Sequence, residues 1–221
     1  MRSHHKKLFF GIVAVVMIFF AATFLKNWGK TVAEKNIDDI APKVKALKGN
    51  YTAAKKQCPA FIEKLKSGLE SLDKKETRLK KLLSIKLIAD CYAYSKQHSK
   101  AAEHYSQLAQ AEPQQARWYG AVAENTFKAG RAEEAIRLTH LATQLEPNNY
   151  KWLIQEARIA SELGLDQKAQ RAYEKALKIV PFEEVSKVNS EYELLLTKIQ
   201  QKQAEVQEDV QFPEISDRVG Q

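Results

Sequence analysis

Side chains able to ligate a metal or attack a substrate are few in this 221-residue chain, and they stand apart. Two cysteines, Cys58 and Cys91, and five histidines, His4, His5, His98, His104 and His140, are the only soft ligands. Zinc centres draw thiolates and imidazoles from closely spaced pairs. Neither cysteine has such a partner, so no metal is expected. His4 and His5 belong to the N-terminal tail, and the other three fall singly on separate segments. No phosphate-binding glycine loop, HExxH or serine elbow occurs. Eight glycines leave few places for the tight loops that carry catalytic groups. The expectation is a chain with no catalytic residues and no cofactor, which is not an enzyme.

The elements that carry these side chains follow a regular period. Pro113, Pro147 and Pro181 recur every 34 residues, the length of one helix–turn–helix repeat. Each first helix carries the same marks: Ile85, Ile88, Ala89 and Tyr92; Tyr119, Val122, Ala123 and Thr126; Leu153, Glu156, Ala157 and Ala160. Each second helix pairs an alanine with a larger residue four positions on: Ala101 and Tyr105, Ala135 and Thr139, Ala169 and Tyr173. Gly130 and Gly164, again 34 apart, fall between the helices of the last two units. Small residues in mid-helix let antiparallel helices approach, glycine ends a helix in the left-handed conformation, and proline cannot continue one.

These marks resemble the tetratricopeptide (TPR) repeat family over roughly Leu82 to Glu183. The resemblance implies an all-α chain, a TPR-type α-solenoid with repeats at 82–115, 116–149 and 150–183. Four positions depart from the pattern. Glu156 replaces an apolar residue, Thr126 and Ala160 replace larger ones, and Lys96 stands where the other units have glycine.

A repeat stack needs a cap at each end, because each helix pair buries its apolar face only against neighbours. Val185, Val188, Tyr192, Leu195, Leu196 and Ile199 recur at helical spacing, which predicts a C-terminal capping helix over 184–206. A flexible tail, 207–221, is expected to follow. Upstream, residues 26–81 read as basic juxtamembrane helices. Ile37, Ile40, Val44 and Leu47 form one stripe and Tyr51, Ala54, Cys58, Phe61, Ile62 and Leu65 another, with Gly49-Asn50 as the turn. Residues 31–71 are therefore a candidate degenerate helix pair.

Residues 8–25, which follow a basic tail at 1–7, contain no charge. At about 1.5 Å per residue they reach most of the way across a hydrocarbon core of about 30 Å. Arg2, Lys6 and Lys7 flank the segment on one side, and Lys26, Trp28 and Lys30 on the other. A transmembrane anchor is the favoured reading. A cleaved signal is the alternative, although Phe20-Ala21-Ala22 places phenylalanine where cleavage needs a small residue. The expected location is the inner (plasma) membrane, single-pass, with the repeats in a bacterial periplasm. The five lysines from Lys26 to Lys45 favour the alternative, repeats in the cytoplasm.

The net charge of +8 is unevenly spread. Residues 26–90 hold 16 basic against 8 acidic groups, and residues 91–221 hold 16 against 19. The run Lys74, Lys75, Arg78, Lys80 and Lys81 reads as a solvated helix face, with anionic lipid or an acidic partner as the alternative. The basic residues are not interleaved with aromatic platforms, so no nucleic-acid partner is expected.

The TPR resemblance further implies a concave groove lined by first helices. In that register the groove residues are Lys86, Asp90 and Tyr94, then Arg117, Glu124, Phe127 and Lys128, then Lys151, Ile154 and Arg158. Each has an ordinary surface or packing role as its alternative. Such a groove would hold a protein or peptide partner, its charges setting register and its apolar pockets supplying affinity. The clamp that some TPR domains use for a chaperone's C-terminal carboxylate is not expected. Lys86 and Lys151 match its lysines, but Asp90 and Ala121 replace asparagines and Gln155 replaces the last basic residue. The register also turns Cys91 towards the preceding helix, which leaves two readings: a Cys58–Cys91 disulfide in an oxidising compartment, or two buried free thiols. The implied function is a membrane-tethered scaffold or adaptor in assembly of an envelope complex, with a periplasmic holding chaperone at the translocon as the alternative. Oligomeric state is left open.

Overall fold

The computed structural model describes residues 31–69, 72 and 77–210. Within them the chain forms nine helices and no strand. The apolar segment at 8–25, the tail at 1–7, and residues 211–221 lie outside the described residues. Among the described residues no helix is long and apolar enough to cross a membrane. The chain divides into two compact units, the first ending at Ser95 and the second beginning at Lys96. That division falls within the repeat drawn at 82–115.

The first unit holds α1 (Val32–Ala46), α2 (Tyr51–Leu69) and α3 (Arg78–Tyr94). A capping box starts α1: the Glu34 amide donates to Thr31 Oγ1 at 3.2 Å, and the Thr31 amide donates to Glu34 Oε2 at 2.9 Å. The stripe Ile37, Ile40 and Val44 is buried, and so is Leu47 just beyond the helix. Gly49, at φ +82°, turns the chain, and the Asn50 side chain accepts from the Ala53 amide at the start of α2. Ala54, Cys58, Ile62 and Leu65 then form the buried face of α2, which packs on α1 and α3. Val32–Ala46 and Tyr51–Leu69 are thus two successive helices joined by a short turn. In α3 the burial is nearly continuous from Ser84 to Tyr92, interrupted at Lys86. Lys80 reaches Asp38 of α1 at 3.0 Å, and Lys66 of α2 donates to the Tyr92 hydroxyl at 3.2 Å.

The second unit runs through α4 (His98–Ala111), α5 (Ala116–Lys128), α6 (Ala132–Leu145), α7 (Tyr150–Glu162), α8 (Asp166–Leu177) and α9 (Phe182–Val210). Within this unit each packs chiefly on its neighbours in sequence, and α5 also touches α7. The alanines that recur in the sequence lie at these contacts: Ala101, Ala123, Ala135, Ala157 and Ala169 are all 0 % exposed. Gly130 and Gly164 adopt φ +83° and +69°. At the first, the Arg131 amide donates to Thr126 O and the Gly130 amide to Phe127 O; Leu165 and Gly164 repeat the pattern on Ala160 and Ser161. This double closure satisfies carbonyls left open at the end of each first helix. The C-terminal helix extends four residues past the predicted 206, since nothing between Val206 and Val210 breaks a helix. Its Val188 and Leu195 join the apolar core that Leu153, Ile154, Ala157 and Tyr173 supply.

Candidate functional site

A concavity of the second unit opens where α5, α7, α8 and α9 meet. Two hollows, of about 320 Å³ and about 380 Å³, share Phe127 of α5, Arg158 of α7 and Glu191 of α9. Tyr173, Leu194 and Lys198 complete the first hollow, and Lys128, Tyr150, Lys151 and Lys187 border the second. The floor is apolar, because Phe127 is half-buried and Ile154 and Val188 belong to the core. The rim is charged. Phe127 is in place because the Gly130 turn ends α5 just beyond it, and Arg158 because Ala157 and Ile159 on either side are fixed in the core.

Internal bonds order this rim. Tyr150 donates to Glu184 Oε1 at 2.6 Å, and Tyr173 donates to Glu191 Oε2 at 3.4 Å. Arg158 Nε stands 3.6 Å from the same Glu191 oxygen. Burial, aided by the Glu191 charge and opposed by Arg158, pushes the Tyr173 hydroxyl up to about 12. The bond to Glu184 raises Tyr150 as well. Both phenols therefore stay protonated donors at neutral pH. For Lys187 and Lys198 the described residues provide no ion-pair partner, which leaves cationic groups at both hollows.

The residues expected to line a groove divide between the two units. Lys86, Asp90 and Tyr94 lie on α3 in the first. There the nearly buried Asp90 holds Lys86 at 2.6 Å, and burial together with Asp90 pushes Tyr94 up to about 12. In the second unit Phe127, Lys128, Glu124, Lys151, Ile154 and Arg158 all border the shared concavity. Glu124 and Lys128 pair at 2.6 Å, and Lys151 lies 5.7 Å from the Tyr150 ring. Ile154 is only 6 % exposed, so its main contacts are in the core. Arg117 borders neither hollow. It stacks on the Trp118 ring at 4.4 Å and stands 3.4 Å from Glu112. Gln155, at the clamp's final basic position, donates to the Gly120 carbonyl at 2.9 Å.

Several contributors escaped the sequence reading. Glu184, Glu191, Leu194 and Lys198 come from the C-terminal helix, whose apolar stripe was read but whose polar flank carried no motif. The signal for Glu184 was the repeat period itself, since it lies 34 residues after its partner Tyr150. The same period marks a second pair of bonds: Trp118 Nε1 donates to Glu112 at 2.7 Å, and Trp152 Nε1 to Glu146 at 2.8 Å. Each glutamate directly precedes a repeat proline. Gly120 admits the Trp152 ring so closely that a Cβ there would sit 2.2 Å from it.

On the other side of α7, Glu156 is buried at the position where the pattern expects an apolar residue. Its carboxylate meets Lys168 Nζ at 3.2 Å, His140 Nδ1 at 3.6 Å and Thr143 Oγ1 at 3.5 Å. The Lys168 ammonium is how the helix tolerates the buried charge, and a hollow of about 990 Å³ borders these groups. Cys58 and Cys91 are free thiols, both buried between α2 and α3. Among the described residues no cluster of three or more acidic, histidine or cysteine side chains has metal-site geometry.

No family model matches the sequence, and no curated protein matches it. Solved structures do. The Sgt2 TPR domain from Aspergillus fumigatus aligns with 63 % of this chain and 91 % of its own, at 20 % identity and a TM-score of 0.52. Two crystal structures of MamA align with 71 % and 82 % of this chain and 96 % of their own. Their identities are 16 % and 14 %, and their TM-scores 0.51 and 0.53. At these identities the likeness is one of fold. The chain has a TPR-like helical fold.

Proposed function

We propose that this protein is a membrane-tethered scaffold that binds a segment of a partner protein in the cleft between α5, α7 and α9. The observation that carries the reading is the pair of adjoining hollows sharing Phe127, Arg158 and Glu191. An apolar floor with a polar, partly cationic rim suits a peptide: bulky side chains enter the floor, and the rim sets direction. Residues 8–25 would supply the tether, and the repeats would work on the periplasmic side of an inner membrane, in assembly of an envelope complex.

A photoreactive amino acid placed at Phe127 or Arg158 in cells tests this reading. One dominant crosslinked partner, lost when Lys151 and Lys187 are both changed to Glu, is the expected result. A broad smear of nascent exported chains would replace the scaffold with a holding chaperone. Absence of any protein product would remove both.

A further inference from the structure

Cys58 and Cys91 are the chain's only cysteines, each 0 % exposed, on helices α2 and α3 that pack together. Their side chains meet, the Cys91 thiol donating a hydrogen bond to the Cys58 sulfur. Two sulfurs within hydrogen-bonding reach across one helix–helix interface need little backbone movement to join, whereas cysteines facing apart cannot. With no third cysteine, neither has a competing partner in the chain. Giving that hydrogen bond pushes the Cys91 thiol up, and burial and the nearby Asp90 carboxylate act in the same sense. The same bond lowers the Cys58 thiol, so the closed interface hinders exchange by burying both sulfurs out of an oxidant's reach.

We infer that Cys58 and Cys91 form a structural disulfide linking α2 to α3, made while the first unit is still open. The oxidant is a disulfide-bearing protein or small molecule. One cysteine, as its thiolate, attacks a sulfur of that disulfide, forming a mixed disulfide and expelling one oxidant thiolate. The second cysteine thiolate attacks the cysteine sulfur of the mixed disulfide, forming the Cys58–Cys91 bond and expelling the other oxidant thiolate. Both cysteines are oxidised, the oxidant's disulfide is reduced to two thiols, and the two cysteine protons pass to them. Closing the loop through residues 59–90 restricts the unfolded chain, and burial then shields the bond from reductants.

The test refolds the full chain in detergent with a reduced and oxidised glutathione buffer, then denatures and alkylates it. The expected product is two hydrogen masses lighter than the dithiol, takes no alkyl group, and gives one crosslinked peptide pair containing Cys58 and Cys91. Reductant should lower the melting temperature by roughly 5 °C. The Cys58→Ala/Cys91→Ala variant should not respond to reductant. Two alkylated cysteines, or two glutathione adducts, after this treatment would overturn the inference. The mass result does not depend on whether the variant folds.

Discussion

Lys96 adopts φ +58° at the inter-helix position that Gly130 and Gly164 fill at +83° and +69°. A side chain held in the left-handed region carries strain of about 1–2 kcal/mol relative to glycine. Lys96→Gly should therefore raise stability by about 1 kcal/mol in urea unfolding, and Gly130→Ala should lower it by a similar amount. A Lys96→Gly variant less stable than the parent would show that lysine contributes contacts that outweigh the strain. The position was legible from the 34-residue period, but its conformation was not, since lysine gives no sign of it. Gly120 is the opposite case. Its glycine is visible in the sequence, but the Trp152 ring against it comes from the next repeat, and no local pattern announces that approach.

At the scale of the element, α9 does two jobs with two faces. Leu195 is 4 % exposed and seals the core, whereas its neighbour Leu194 is 59 % exposed at the rim of the cleft. Leu195→Ala should cost about 2–4 kcal/mol, the usual loss for a core leucine, while Leu194→Ala should fall within about 0.5 kcal/mol of the parent. Denaturant midpoints compare them directly. Equal losses would mean that α9 is seated differently. The apolar stripe of this helix was readable because its period is that of any amphipathic helix. Its acidic flank was less so, because beyond the period that marks Glu184, Glu191 acquires meaning only from Tyr173 and Arg158 on other helices. Glu156 shows the same limit. It interrupts the apolar pattern of α7, and only Lys168 of α8 explains how its charge is held.

For the whole molecule, the proposed tether makes a separate prediction. Deleting residues 1–30 should move the protein from the membrane fraction to the soluble fraction with its helical circular dichroism and melting temperature retained. Persistence in washed membranes would require another means of attachment. The period, the nine helical segments among the described residues and most of the core alanines were set by the sequence alone. Helix formation and amphipathicity are local properties, written in spacings of three and four residues, and a repeat states them several times over. The tertiary structure alone decided that Glu191, 33 positions beyond Arg158 in the chain, joins Phe127 and Arg158 in one cleft. It also decided that Arg117 leaves that cleft for a tryptophan ring, and that Cys58 and Cys91 meet. Those outcomes depend on which faces of different helices are pressed together, and side-chain packing between distant segments has no local signature.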